Sequence, residues 1–203
     1  MKALIGSLAL LAATTAVGVA AQTAPSQHVR GTIVSVGGGV LTVQAGAARK
    51  RVDLTNKTSI SLVGKSSLDQ IKPGAFVGSA AVPQPDGTLK AQDVMIFPET
   101  MRGTGEGHYA WDLTPHSTMT NATVQTVASG AASVKVDLLT LHYTGGQQTI
   151  KVPANAPVVK LSAADKRALK RGAHVFIVAS PKPDGTLVAD FVAVGKNGLT
   201  PPM

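Results

Sequence analysis

Pro83-Gln84-Pro85-Asp86-Gly87-Thr88-Leu89 returns 98 residues later as Pro181-Lys182-Pro183-Asp184-Gly185-Thr186-Leu187. The match extends outward from this turn. Residues 74–96 align without a gap on residues 172–194, and 12 of the 23 positions are identical. The same offset pairs Leu41-Thr42-Val43 with Leu139-Thr140-Leu141, and Val52 and Leu54 with Ile150 and Val152. Self-similarity at a fixed offset means one supersecondary unit written twice, so the fold is the fold of the unit. In each copy of the turn, proline presets one φ and glycine supplies a positive φ, which is hairpin chemistry.

Around that turn each copy reads strand, strand, strand, short helix, strand, strand. In the first copy, residues 31–36, 40–43 and 51–54 alternate apolar and polar residues as half-buried strands do. Residues 60–63 read as an extension of the third strand. Ser66 and Asp69 have the spacing of a helix start, stopped by Pro73-Gly74. Residues 75–82 and 88–97 are the last two strands. The second copy repeats this order with strands at 121–127, 134–143 and 148–152. A second capping box, Ser162 to Asp165, opens a helix over 166–171 with Gly172 as its cap. Strands at 173–180 and 186–194 close the unit. A helix between strands three and four is the order of a five-stranded Greek-key OB barrel. The expected fold is therefore all-β with short helices, in two tandem OB-like five-stranded barrels. A β-sandwich or an SH3-like barrel would share the same strand list.

Flanking segments complete the organisation. Residues 1–21 read as a signal peptide: Lys2, an apolar run through Leu4, Ile5, Leu8, Leu10 and Leu11, then Val19-Ala20-Ala21 before cleavage. Residues 22–28 are a polar leader, 29–97 the first OB-like domain, and 98–120 a Gly- and Pro-containing connector. Residues 121–196 form the second OB-like domain and 197–203 a tail. The expected localisation is periplasmic or secreted, with no transmembrane span in the mature chain. A multi-span permease is excluded, because only the signal is apolar enough to consider as a span. The chain has no cysteine, so a thiolate metal site and a disulfide scaffold are both excluded. Its formal net charge is +8, which favours anionic surfaces such as an envelope polymer.

The chain resembles an exported bacterial family of uncharacterised proteins built from the OB-like module called domain of unknown function 5666. The resemblance rests on Lys72-Pro73-Gly74-Ala75-Phe76-Val77-Gly78, on the two Pro-Asp-Gly-Thr-Leu turns and on residues 97–108. Trp111-Asp112-Leu113, residues 117–123 and residues 198–203 add to it. It spans the whole mature chain. It implies an OB-like fold and export, and it implies no reaction.

The side chains capable of chemistry concentrate in two places. The connector holds both glutamates, Glu99 and Glu106, the only tryptophan, Trp111, and two of the five histidines. His108, Asp112 and His116 recur every four residues, a metal-binding face if the segment were helical, and copper or zinc would suit such ligands. Gly103, Gly105, Gly107 and Pro115 oppose a helix. The competing expectation is a strap that packs Trp111 and Leu113 across the interface between barrels. The second place is the basic run Lys166, Arg167, Lys170 and Arg171. It is either a solvated helix face or a landing patch for anionic polymer. Trp111 joins these four as a binding candidate.

No paired carboxylates, nucleophile motif or cofactor loop points to an enzyme, and no cofactor is expected beyond a possible copper or zinc ion. Aromatic residues make up only 3% of the chain, too few for the stacking platform of a single-strand nucleic-acid binder. The function expected is a non-catalytic binding or interaction module of the cell envelope. Its partner would be an anionic polymer or another envelope protein. The alternative is an envelope metal-binding protein that uses the connector histidines.

Overall fold

The computed structural model of the chain describes residues 25–129 and 136–203. The expected signal peptide, its cleavage boundary, the first leader residues and the start of the strand expected from residue 134 lie outside the described residues. The first seven strands are β1 (Gln27–Gly37), β2 (Val40–Ala45), β3 (Ala48–Asp53), β4 (Ser59–Lys65), β5 (Phe76–Pro83), β6 (Leu89–Ala91) and β7 (Val94–Ile96). The next seven are β8 (Gly107–Ala110), β9 (Thr118–Ser129), β10 (Val136–Tyr143), β11 (Gly146–Pro153), β12 (Val158–Ala164), β13 (His174–Pro181) and β14 (Leu187–Gly195).

The molecule is all-β, and five of its strands close a mixed barrel. β13, β1, β2 and β3 follow one another, β3 meets β14 in parallel, and β14 returns to β13. This strand order is consistent with an OB-like barrel. Its members come from both copies: β1–β3 from the first and β13–β14 from the second. The expectation of one barrel per copy, at 29–97 and 121–196, does not describe this closure. Five of the other nine strands trace a matching circuit of pairings. β9, β10 and β11 follow one another, β11 meets β6 in parallel, β6 pairs with β5, and β5 returns to β9. Strands four and five have thus changed places between the copies.

Equivalent hydrogen bonds mark the exchange. The amide of Gly172 donates to Ile33 O, and that of Ile33 to Ala173 O, both at 2.9 Å. In the other half the amide of Gly74 donates to Val124 O, and that of Val124 to Ala75 O, both at 2.8 Å. The two repeated turns also match. Gln84 N donates to Thr88 O and Lys182 N to Thr186 O, each at 2.8 Å, with Gly87 and Gly185 at φ 77 and 80°. Each is a type I turn followed by a left-handed residue, the chemistry that the Pro-Asp-Gly sequence specifies.

The halves are joined by β4 and β12, which pair antiparallel with Val63 opposite Leu161. Those two residues occupy the same position in the repeat, so a pseudo-two-fold axis passes between them. Residues 60–63 are therefore not an extension of the third strand. They form a separate strand whose partners are β12 and, in parallel, β14.

The expected helices are absent among the described residues. Leu68–Gln70 and Lys166–Ala168 are single 3-10 turns. The first already ends at Gln70, with Ile71 extended, and in the second Ser162 is taken up by β12, opposite Leu62. Cross-strand pairing overrides the local capping signal, and Asp165 caps instead, accepting from Arg167 N at 2.8 Å. The last strand of the first copy is broken into β6 and β7 at Gln92-Asp93, whose amides both reach Ala80 O.

Three apolar cores result. One lies inside the barrel and includes Val29, Leu41, Val52, Ile177 and Val192. The second lies inside the other circuit and includes Val77, Ala122, Leu139, Leu141 and Ile150. The third fills the junction around Val63, Phe76, Leu161, Phe176 and Met203. Each large apolar side chain buried this way contributes about 1.5–3 kcal/mol. No helix among the described residues is long and apolar enough to cross a membrane.

Candidate binding sites

The connector is ordered against the junction. After a 3-10 turn at Glu99–Met101 it forms β8, which pairs with β9 from Gly107 opposite Asn121 to Ala110 opposite Thr118. Side chains anchor it to both halves. Arg102 pairs with Glu99, donates to Gly74 O at 2.8 Å, and lies over the Phe76 ring. Glu106 accepts from the amide of Thr144 at 2.8 Å. Asp112 accepts from both terminal nitrogens of the Arg30 guanidinium and lies 2.8 Å from His28 Nδ1. Burial acts to raise the Asp112 pKa, but the hydrogen bonds from Arg30 and His28 outweigh it and hold the carboxyl down at about 2.

Trp111 packs where a strap across the interface would place it. Its ring lies 4.2 Å from His28 and 5.9 Å from Phe176, both on strands of the barrel, and 6.2 Å from Tyr109. It sits, partly buried, against the junction core. Leu113 is partly buried and is not among the residues of that core.

The helical metal face does not form. In β8 successive side chains point to opposite sides. His108 is turned to Thr120 Oγ1 at 2.8 Å and stacks on Tyr143. Asp112 is held by Arg30 and His28, and His116 is exposed at a turn with φ 61°. Among the described residues no group of three His, Asp or Glu side chains is placed to hold a metal ion.

What the connector does create is a cavity of about 610 Å³ beneath itself. Of the five methionines, Met1 lies outside the described residues, and the other four, Met95, Met101, Met119 and Met203, all line it. Phe97, Phe176, Phe191, Trp111 and Tyr109 supply the rings, and His28 supplies an imidazole. His28 and Met119 hold equivalent places in the two copies, opposite Val178 on β13 and Ala80 on β5. The cavity therefore straddles the pseudo-two-fold axis. Asn121 fixes one wall: its Nδ2 donates to Thr104 O and Tyr109 Oη, each at 3.2 Å. Its Oδ1 lies so close to Gly78 that a Cβ there would sit 2.5 Å from it. Glycine at 78 leaves room for the Asn121 side chain on the neighbouring strand β9.

The basic run lies elsewhere, in a shallow groove beside the 3-10 turn at Lys196–Gly198. Arg167, Lys170, Arg171 and Lys196 line this groove, with Asp165 the one carboxylate among its lining residues. Lys166 stands exposed on the same turn as Arg167. Arg167 bonds back to Asp165 and holds that carboxyl below its usual range. An adjoining hollow shares Lys196 and adds Lys65.

His28, Arg30, Lys196 and Met203 were not foreseen as site residues. They come from the leader, the first strand, the end of the second domain and the tail, and the pairing of β1 with β13 of the other copy brings His28, Arg30 and Met203 together. Arg30, for example, reaches Met203 O at 2.9 Å across 173 positions. One further group stands apart. Asp93 is buried at 1% exposure, accepts from Ala80 N through Oδ1, and has no partner among the described residues for Oδ2. Burial, only partly offset by the Ala80 amide and by Arg30, pushes its pKa up to about 7.

No family model, curated protein or solved structure matches the chain.

Proposed function

We propose that the protein is an exported, non-catalytic binding module of the bacterial cell envelope, built from two OB-like barrels with exchanged strands, and that its junction cavity receives a small, largely apolar molecule. The observation that carries this reading is the wall of that cavity. Small-molecule sites are concave, mostly apolar and about 300–1,000 Å³ in volume. Thioether side chains are polarisable and adapt to irregular shapes, so they recur at surfaces that accept varied apolar ligands. Here every described methionine converges on one cavity, together with the only tryptophan. Export rests on the signal-like start, and the envelope family on the resemblance of the quoted motifs.

A neutral fluorescent aromatic, N-phenyl-1-naphthylamine, tests the reading. It should bind at one site per chain and quench Trp111 emission by energy transfer. Trp111→Phe and Met119→Gln should each weaken its binding severalfold. Binding that leaves Trp111 emission unchanged would sink the proposal.

The same wall favours a second reading. Thioethers are soft ligands that select Cu(I), and His28 stands beside them. Copper(I) would then enter at the methionines and not at the connector histidines. Competition for Cu(I) with a coloured chelator separates the two readings: the chelator keeps the metal if the occupant is an apolar molecule.

A further inference from the structure

The duplication supplies an internal control for the basic groove. Around this groove each position of the second copy has a counterpart 98 residues earlier in the same place of the repeat. The Lys170-Arg171-Gly172 turn closes with Ala173 N donating to Lys170 O at 3.1 Å. The Lys72-Pro73-Gly74 turn closes in the same way with Ala75 N donating to Lys72 O at 3.0 Å. Gly172 and Gly74 share a positive φ, at 84 and 87°. The two 3-10 turns, Lys166–Ala168 and Leu68–Gln70, also correspond. So the fold makes equal demands at the two places.

The charges differ. Arg167 stands where the first copy has Asp69, Arg171 where it has Pro73, and Lys196 where it has Pro98; only Lys170 has a basic counterpart, Lys72. Three cations on one side of the axis thus have no structural counterpart on the other. Nothing in the turn requires them, since the first copy builds it without them. Their cost is mutual repulsion along one groove, relieved by a single carboxylate, Asp165, that is already bonded to Arg167.

We infer that this groove is a binding surface for a phosphate-bearing polyanionic chain. Its shape argues for a chain over a single small anion. The cations do not converge on a point: Arg167, Lys170 and Arg171 lie in one hollow, Lys65 in the next, and Lys196 in both. Arg167 is 92% exposed along its side chain, so an occupant would lie along the surface without being enclosed. Guanidinium groups supply paired donors matched to phosphate oxygens, while lysines act as point charges.

The floor is rigid. Leu199 N donates to Lys196 O at 3.1 Å, and a Cβ on Gly195 would sit 1.6 Å from Leu199 O, so Gly195 is fixed by the packed turn that carries Lys196. A held turn loses less freedom when it binds than a mobile one. The groove is separate from the junction cavity, and this inference stands whether or not that cavity binds a ligand.

The experiment compares two triple variants of equal charge. Lys170→Gln/Arg171→Gln/Lys196→Gln removes three cations from the groove. Arg49→Gln/Lys50→Gln/Arg51→Gln removes three exposed cations from β3. Both should keep the parent melting curve and Trp111 emission, which shows that each has folded. Binding to long-chain polyphosphate is measured at 50 and 200 mM salt, beside inorganic phosphate as a single-anion probe. The parent should bind the polymer in a salt-sensitive manner and at least tenfold more tightly than inorganic phosphate. The groove variant should lose tenfold or more in affinity, and the β3 variant less than threefold. Equal losses in the two variants would reduce the effect to net charge and overturn the inference. So would absence of polymer binding at 50 mM salt, or equal affinity for polymer and single phosphate.

Discussion

The two halves of the molecule trace the same circuit of strand pairings, yet one is continuous in sequence and the other is not. β5, β6, β9, β10 and β11 lie within residues 76–153. The barrel of β1, β2, β3, β13 and β14 is assembled from residues 27–53 and 174–195. The continuous half is nested inside the discontinuous one. Each copy supplies three strands to one half and two to the other, so the repeat in sequence is not the repeat in space. A strand selects its partner by register, apolar face and edge geometry, and a partner of the same sequence type satisfies all three whichever copy supplies it. In this chain the partner from the other copy is used at every such junction.

The halves have also diverged at particular residues, and substitutions there test how far the equivalence goes. The largest effect is expected at Gly31. It lies opposite Val175, as Ala122 lies opposite Val77, so the two share one position in the repeat. A Cβ at 31 would lie 2.0 Å from Gln44 O, a backbone atom that cannot swing away. Gly31→Ala should therefore cost about 3 kcal/mol or more. The mirror change Ala122→Gly should cost only about 1 kcal/mol. Urea denaturation of both variants checks this, and similar midpoints would mean that the barrel is looser at β1 than described.

Next in size is Trp111→Ala. The connector that carries Trp111 follows β7 through the 3-10 turn at Glu99–Met101, in the place that the turn at Lys196–Gly198 takes after β14. Losing a ring packed on His28 and Phe176 should cost about 3 kcal/mol. It should also uncouple the halves, visible as broadening or splitting of the calorimetric transition.

A third test uses pH. Asp93 belongs to the continuous half, and Phe191 holds its place in the other copy. Its folded pKa is raised to about 7, above the ordinary carboxylate value near 4 that it has when unfolded. Between those values the folded form keeps a proton that the unfolded chain has released. Stability should then fall as pH rises from roughly 4 to 7 and level off above 7, by linkage. Asp93→Asn should flatten that stretch of the profile, read as the difference in urea midpoint between pH 4.5 and 7.5. Asp112 adds the opposite slope at lower pH. Its depressed pKa gives stability that is present above about 4 and lost as pH falls towards 2.

The smallest effect is expected at His108. One hydrogen bond to Thr120 and a stack on Tyr143, at a partly exposed site, suggest that His108→Ala costs about 0.5–1 kcal/mol. A larger loss that chelators abolish in the parent protein would revive a metal at this residue.

Much of the strand list was legible, because alternation and turn chemistry are local. Leu41 and Val43 point inward as their spacing predicts, and both Pro-Asp-Gly sequences make the turn they specify. The short helices were misread because Ser162, a good cap in isolation, pairs with Leu62 instead. The exchange of strands left no local trace: β4 is as compatible with the third strand of its own copy as with β12. The candidate sites followed the same division. Lys170 and Arg171 could be picked out as a charge run. Met203 and His28 could not, since each becomes part of a site only through partners far away in the chain, and Lys196 stands alone in sequence, apart from the charge run that it joins in the groove. Trp111 was legible for a third reason: a lone large ring among glycines and prolines has to find cover somewhere.

Nesting also sets an order of events as the chain grows. All pairings of the continuous half can be complete once residue 153 has emerged. β1 can pair with β2 early, but its other edge must wait for β13, whose pairing begins with Gln27 opposite Ala179, and the barrel closes only when β14 arrives. Closing so long a loop around disordered chain would carry a large entropic cost, but by then the interior is folded and the ends are held near one another. The molecule should therefore assemble from its middle outward, with the free edge of β1 among the last to find its partner.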